Sequence, residues 1–566
     1  MGNSIATPAG RDWFVVDWLD VWRRLGLAPA DVPGVVPVAA QGAGSYHYRV
    51  HLTHLAHLGF VPGGASRFDT QPPATAGNVT LRPHQIEGIQ YIRSRRGTLL
   101  ADEQRVGKSA QIMYAHEPDA GPLVIVGPLA ARAVWHEWAA RRFGACAQEW
   151  TAHGPMQRCS VCLRVDAPVC GDSPSFVALS GRKLDEGQIK WTRRARVIFL
   201  HFAIAPAWRE LFSLLPHVGT LAVDEAHLSG IQNRKGVFFE SIRFLNTVAH
   251  RTIFASGTPL LNKPSGLWPM LDVLAPGAFG DFWSFARRYC DAKPGAYGWT
   301  AHGATNQPEL RRRLEEVMIR RTWREISPSL PAITRTLEVV RIDASKRDEI
   351  AESVAKICVA QGGPKSVIGD LARLRRIVGA EKEIAAVEWV KARVGAEGKS
   401  CVVWTWHRDL AERVGCGFRT QYATFGPIHG EMSSDEREAV IEEARAVAKN
   451  VPVVLIATMA ALGTAVNLSF ATDQLMVEMD WSPHVIAQAE MRLFDGSNRV
   501  TNTILVADCD VEQRLADAIV SKLELNTQLG LQAGVGDVSS VLRESLGVED
   551  TQTLSALADA VIAEAE

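Results

Sequence analysis

The sequence predicts an α/β protein with two parallel-sheet domains and helical insertions, and three observations carry that assignment. Continuous apolar runs separated by helical patterns recur in two series, one reaching from Leu99 to about 259 and the other from 400 to 510. Runs apolar throughout and ended by turn residues are how strands buried on both faces of a parallel sheet read. In the first series a strand end passes into "LLADEQRVGKSAQ" (99–111), where Gly107-Lys108-Ser109 opens a helix. Amides of such a loop point at anionic oxygens, a lysine reaches the outer phosphates, and a hydroxyl holds Mg²⁺.

The elements follow in order. Residues 1–78 form an N-terminal accessory segment ending in "VPGGASRFDTQPPATAGNVT", whose Gly, Pro and Thr content reads as a linker. Within it, His51, His54 and His57 of "HLTHLAHL" recur at spacing three, expected on one face of a packed helix. A first α/β domain is expected over 79–275, with strands in "PLVIVG" (122–127), "RVIFLH" (196–201), "TLAVDEAH" (220–227) and "RTIFASGTP" (251–259). A helical, arginine-rich insertion is expected over 276–395, including "RRRLEEVMIRR" and "DLARLRRIVGAEKEIAAVEWV". The second domain, 396–525, has strands in "SCVVWTWH", "VPVVLIAT", "DQLMVEMD" and "NTILVADCD", with a helix in "SDEREAVIEEARAVAK". Residues 526–566 read as an acidic helical tail.

Composition bounds the function. A chain of 566 residues with 47% hydrophobic content can build several cores. The net charge of -1 excludes a global field that gathers nucleic acid, so such a partner needs a local basic groove. The nine cysteines suggest thiols or a metal in a reducing compartment rather than a disulfide framework. No apolar run reaches membrane-spanning length and no signal-peptide pattern opens the chain, so the expectation is an unsecreted protein, cytoplasmic in a prokaryote or phage-infected cell and nuclear in a eukaryote.

The chemistry concentrates in short motifs. "VDEAH" (223–227) brings two adjacent carboxylates to a strand's C-terminal end, where ligands sit in open α/β sheets. Asp224 suits Mg²⁺ beside Ser109, and Glu225 suits orientation and deprotonation of an attacking water. "SGTP" (256–259) ends a further strand and is expected to couple nucleotide state to the second domain.

The order "LRPHQIEGI", "ADEQRVGKSAQ", "DEAH", "SGTPLLNKPSGLWPMLDVLAPGAFGDFWSFARRYCD", "EEVMIRRTWREISPSLP" and "QAEMRL" resembles the Swi/Snf-type ATPases of helicase superfamily two, over about 80 to 525. It is most similar to their small fork-remodelling, annealing-helicase branch. The resemblance implies two RecA-like domains, ATP and Mg²⁺ as cofactors, and DNA as partner. The implied activity is an ATP-driven motor that moves on duplex or branched DNA and remodels it or displaces bound protein.

Carried onto this sequence, the resemblance implies that Gln85 reads the adenine and that Gly107, Lys108 and Ser109 hold the phosphates. It implies that Asp224 holds Mg²⁺ with Ser109, that Glu225 activates water, and that Arg492 is an arginine finger. Coupling would fall to His227, Ser256, Thr258 and Gln488. Two positions depart from the family pattern. Arg105 stands at a usual glycine, where it either crowds the loop or adds a cation near the phosphates. Asp495 stands where a second arginine is expected, and Arg499 is the candidate replacement.

Two further features complete the reading. Cys146, Cys159, Cys162 and Cys170 lie in an insertion at about 145–190; a C-x₂-C pair with Cys170 and either Cys146 or His153 suits tetrahedral Zn²⁺. The basic runs at 193–196, 311–313 and 373–376 are candidate phosphate contacts, whereas the tryptophans mostly read as core. The alternatives are a strand-separating helicase or motor subunit of a defence or restriction system, and a degenerate non-hydrolysing DNA-binding scaffold, to which Asp495 points.

Overall fold

The computed structural model describes, with short gaps, residues 79–143, 175–181, 192–213, 218–350 and 374–512, residues 529 and 531, and strand backbone within 4–62 and 147–155. It divides into two compact units, Met1–Arg321 with Gln528–Leu531, and Thr322–Thr527 with Gln532–Glu566.

The first unit is organised by a nine-stranded sheet. Its order is Met318–Ile319, Gly97–Leu100, Ala249–Ala255, Val218–Asp224, Leu123–Gly127, Val197–His201, Phe176–Ala178, Ala147–Thr151 and Gly154–Pro155. Every pairing is parallel except the last. The four apolar runs expected as strands form its centre, and Leu123–Gly127 and Val218–Asp224 are buried along their whole length. Helices Pro83–Arg93, Lys108–Ala115 and Arg132–Phe143 contribute Ile89, Ile92, Ile112, Met113, Trp135 and Ala139 to the core against these strands.

Register positions the site. Asp224 pairs with Ala255, and Ala255 with Leu100, so three strands finish at one level. The segments leaving that edge are the glycine-lysine-serine loop, the DEAH turn and the SGTP turn. Ile319 also pairs with Leu100, which delivers Arg320 and Arg321 to the same edge.

A separate five-stranded sheet, in the order Val36–Pro37, His47–His51, Trp13–Asp17, Ser4–Pro8 and Phe60–Pro62, lies N-terminal to this domain. His51 ends one of its strands and pairs with Trp13. The expected helical face through His51 is therefore corrected; His54 and His57 lie outside the described residues.

The second unit has a six-stranded, wholly parallel sheet. Its order is Thr334–Val340, Thr501–Ala507, Asp473–Met476, Cys401–Thr405, Val453–Thr458 and Ala423–Ile428. Ser434–Val447 is the expected helix; the Ser433 side chain accepts from Glu436 N while the Glu436 carboxylate accepts from Ser433 N, a reciprocal N-terminal cap.

The stretch 276–395 is not one helical insertion. The boundary between units falls at Arg321, Met318–Ile319 joins the first sheet and Thr334–Val340 the second. The last is an edge strand, "TRTLEVV", with mostly exposed or half-buried side chains, so it lacks the apolar run that marks the central strands. Among the described residues, no helix is long and apolar enough to cross a membrane.

Candidate functional site

The phosphate-type loop is built by backbone geometry. Gly107 caps the helix Lys108–Ala115 with φ 99, in the left-handed region. A Cβ there would stand 2.1 Å from Gln85 Nε2, which a shift of that flexible side chain could relieve, so it is the backbone conformation that calls for glycine. Arg105 also occupies that region, at φ 62, which is the physical reason glycine suits its position. Gln85 lies against the loop, donating from Nε2 to Val106 O at 3.5 Å, while its Oε1 accepts from Arg82 N at 2.9 Å. His84, whose pKa burial lowers, bonds the same Val106 carbonyl through Nε2 at 3.0 Å.

Lys108 leads the helix, with Nζ donating to the carbonyls of Asp102 at 2.9 Å and Glu103 at 3.3 Å. Ser109 follows it, half-buried.

The buried Asp224 carboxylate accepts from Trp135 Nε1 at 2.8 Å through Oδ2 and from Glu225 N at 3.0 Å through Oδ1. Burial raises its pKa to about 6; the Glu225 charge adds to the rise, while the Trp135 bond and Lys108 oppose it. Glu225 turns out of the strand with φ 46. Among the described residues its buried Oε2 has no hydrogen-bond partner and stands 3.4 Å from His227 Nδ1. An orphaned carboxylate oxygen beside a second carboxylate and a lysine is a place prepared for a cation or a polar reactant.

His227 is buried, and its Nδ1 lies 2.7 Å from Ser256 Oγ. Burial, with the Lys108 charge adding to it, lowers its pKa to about 3, so the ring is neutral at pH 7. Ser256 Oγ also accepts from Thr258 N at 3.1 Å. A Cβ on Gly257 would meet Lys108 Nζ at 3.6 Å, which puts the SGTP turn beside the lysine. Thus Gln85, Gly107, Lys108, Ser109, Asp224, Glu225, His227, Ser256 and Thr258 all belong to the edge where the strands end.

Sequence reasoning missed the groups that hold this edge together. Arg321 donates to Asp102 Oδ1 at 3.0 Å and Oδ2 at 2.5 Å, and to Gln111 Oε1 at 2.7 Å. Gln111 Nε2 in turn donates to Asp102 Oδ2 at 2.8 Å. Arg320 donates to the carbonyls of Ala101 at 2.6 Å and Gly257 at 3.1 Å. Two adjacent arginines after an apolar strand were the available signal, but spacing alone cannot name partners that lie from 63 to 219 residues away.

In the second unit, Gln488 and Arg492 lie on the helix Pro483–Leu493. Glu490, between them, accepts from Arg335 Nε at 2.7 Å and Nη2 at 2.6 Å, and from Asn502 Nδ2 at 2.6 Å. This clamps the helix to the strands carrying Arg335 and Asn502. The Arg492 carbonyl accepts from Leu468 N at 2.9 Å. Asp495 and Asn498 cap each other's backbone amides at 3.0 Å, and Asn498 Nδ2 donates to Leu493 O at 2.7 Å. Asp495 therefore serves a turn that ends the Arg492 helix, and Arg499 follows it, exposed.

Cys146, Cys159, Cys162 and Cys170, with His153, lie outside the described residues. Among the described residues no group of three or more His, Cys, Asp or Glu is arranged to hold a metal ion.

Comparison with known proteins finds two family models that match successive stretches of the chain. A model of the SNF2-related domain matches residues 181–373, and one of the helicase conserved C-terminal domain matches residues 385–494. The "SWI/SNF-related matrix-associated actin-dependent regulator of chromatin subfamily A-like protein 1" of Xenopus tropicalis is 26% identical over 80% of this chain and 45% of its own length. The "DNA annealing helicase and endonuclease ZRANB3" of Bos taurus is 24% identical over 73% of this chain and 37% of its own. The chain thus spans less than half the length of these relatives. The solved "SWI2/SNF2 ATPase core in complex with dsDNA" of Sulfolobus solfataricus aligns with 87% of this chain and 99% of its own, at 19% identity and a TM-score of 0.37. The chain thus matches an SNF2-related domain followed by a helicase conserved C-terminal domain.

Proposed function

We propose that this protein is a DNA-dependent ATPase that converts ATP hydrolysis into movement on duplex or branched DNA, remodelling it or displacing bound protein. The observation that carries the reading is the convergence at one sheet edge of Lys108, the buried Asp224 carboxylate and the unpartnered Glu225 oxygen. The names of the relatives, a DNA annealing helicase among them, support DNA as the track.

In this reading the Gly107 turn and the amides opening the Lys108 helix cradle the phosphates, and Lys108 exchanges its two carbonyl partners for the outer phosphate oxygens. Asp224 and the Ser109 hydroxyl would hold Mg²⁺, for which hard oxygen donors are the right chemistry. When bound, the ion neutralises charge growing on the transferring phosphoryl group. Glu225 accepts a proton from the attacking water through the oxygen that has no internal partner. His227, neutral and bonded to Ser256, ties that turn to the SGTP segment. Arg492 supplies a cation from the second unit.

Phosphate release measured with and without duplex and forked DNA tests this. We expect DNA to stimulate turnover in the parent and Glu225→Gln to lower it by about 10²–10⁴-fold, the usual worth of a general base, while nucleotide still binds. Turnover indifferent to both DNA and Glu225→Gln would remove the reading.

A further inference from the structure

Aromatic side chains beyond the SGTP turn form a continuous chain of ring contacts. Centroids lie 6.3 Å apart for Phe239 and Trp268, 5.7 Å for Trp268 and Phe282, 5.0 Å for Phe282 and Trp283, and 6.0 Å for Trp283 and Trp299. The chain begins in the core, where Phe239 is buried, and ends in solvent, where Trp299 is 51% exposed on the Lys293–Gly295/Gly298–Thr300 ribbon. Arg234 lies over its middle, with Cζ 4.1 Å from the Phe282 centroid and 5.5 Å from that of Trp283. Arg287 follows Trp283 by one helical turn on the same face, and Lys235 is exposed beside Arg234.

The neighbouring carboxylates are already engaged. Asp281 caps its helix by accepting from Trp283 N and Ser284 N, Asp291 pairs with Lys293 at 2.9 Å, and Glu309 pairs with Arg288 at 2.9 Å. Arg234 and Lys235 make no ion pair among the described residues.

Single exposed indoles are ordinary, but one that ends a cation-backed chain of tilted and edge-to-face rings is not. An exposed indole in contact with a half-buried one and flanked by positive charge suits one ligand chemistry: flat bases joined by phosphates. Every base offers a π-face, so such a platform tolerates any sequence, and it needs bases that are not already stacked in a duplex.

We propose that Trp299, Trp283 and Arg234 form a stacking site for unpaired nucleotide bases on the first unit. This rests on DNA being the track, as argued above, and gives the protein a grip on single-stranded segments such as those of a fork.

Full-length protein, without nucleotide, is titrated into a labelled oligo-dT and into a matched duplex, with fluorescence anisotropy as the readout. Trp299→Ala is expected to weaken oligo-dT binding by about tenfold, the order of one lost base stack, and to leave duplex binding within twofold. Trp299→Phe restores most of the affinity, and the deficit persists at raised salt, where phosphate contacts fade. The substituted side chain is half in water, so the fold survives; unchanged DNA-stimulated phosphate release on duplex verifies this.

Three results overturn the site. They are a parent that does not bind oligo-dT, a Trp299→Ala protein that binds it as the parent does, and an equal loss on duplex. If Trp299→Ala loses oligo-dT binding while the parent shows no DNA-stimulated ATP turnover, the stacking site stands and the motor reading falls.

Discussion

At the scale of single residues, the candidate site is marked by backbone strain. Four described residues other than glycine have positive φ, and two of them, Arg105 at 62 and Glu225 at 46, border the loop and the carboxylates. Side chains in the left-handed region cost roughly 1–3 kcal/mol each, and such residues gather where function over-determines the backbone. At Glu225 the turn takes the carboxylate out of the strand direction directly after Asp224. For Arg105, we expect Arg105→Gly to raise the stability of the first unit by about 1 kcal/mol in chemical denaturation, because glycine removes the Cβ clash. A lower stability would mean that contacts of the guanidinium outweigh the strain. The sequence flagged this position as unusual, yet the conformation that makes glycine usual there was visible only in the structure. Trp135 was equally hidden: it reads as one more core tryptophan, and only the fold brings its N–H to Asp224 Oδ2 at 2.8 Å.

Among elements, the helix Pro483–Leu493, which carries the candidate residues Gln488 and Arg492, is anchored by a buried neighbour of both. Arg335 and Glu490 form a two-bond pair with side chains 5% and 2% exposed. Removing one member of such a pair strands a charge without water, which typically costs 3–5 kcal/mol. Arg335→Ala is therefore expected to destabilise the second unit by about that much. The double substitution Arg335→Met with Glu490→Leu is expected to recover a substantial part. Thermal and denaturant unfolding check both, and full stability in Arg335→Ala would show that the pair anchors nothing. Arg335 also explains the limits of the sequence reading. It lies on the edge strand Thr334–Val340, whose mixed exposure hid it inside a stretch read as helical. The central strands were legible because burial on both faces leaves an uninterrupted apolar run. Basic runs were ambiguous for a related reason. Arg313, one of three consecutive arginines, is buried and donates to Ala278 O at 2.5 Å and Tyr289 Oη at 3.1 Å, a structural use indistinguishable in sequence from a phosphate contact.

For the whole molecule, the question is whether the second unit takes part in the proposed reaction. Every candidate group for binding and cleaving ATP except the arginines lies on the first unit, and Arg492 and Arg499 lie on the second. That division was readable from motif order, since the loop, DEAH and SGTP segments all precede 260 and "QAEMRL" follows 485. One use of Asp495 was not readable: its carboxylate, expected to oppose phosphate, accepts from Asn498 N at 3.0 Å, a backbone role that leaves its charge in place. If ATP cleavage depends on a cation delivered by the second unit, that cation must matter to the transition state far more than to the bound ground state. Arg492→Ala in the full chain is then expected to lower DNA-stimulated phosphate release by about 10³-fold or more, the worth of an arginine finger. Nucleotide binding, which draws on Lys108 and its loop, should stay within a few-fold of the parent. Arg499→Ala separates the two candidates: reduced turnover assigns it the role of the second family arginine, and unchanged turnover leaves Arg492 as the sole donor. Loss of nucleotide binding in step with turnover would instead make Arg492 a ground-state contact, and the second unit would serve the reaction by holding ATP rather than by completing its cleavage.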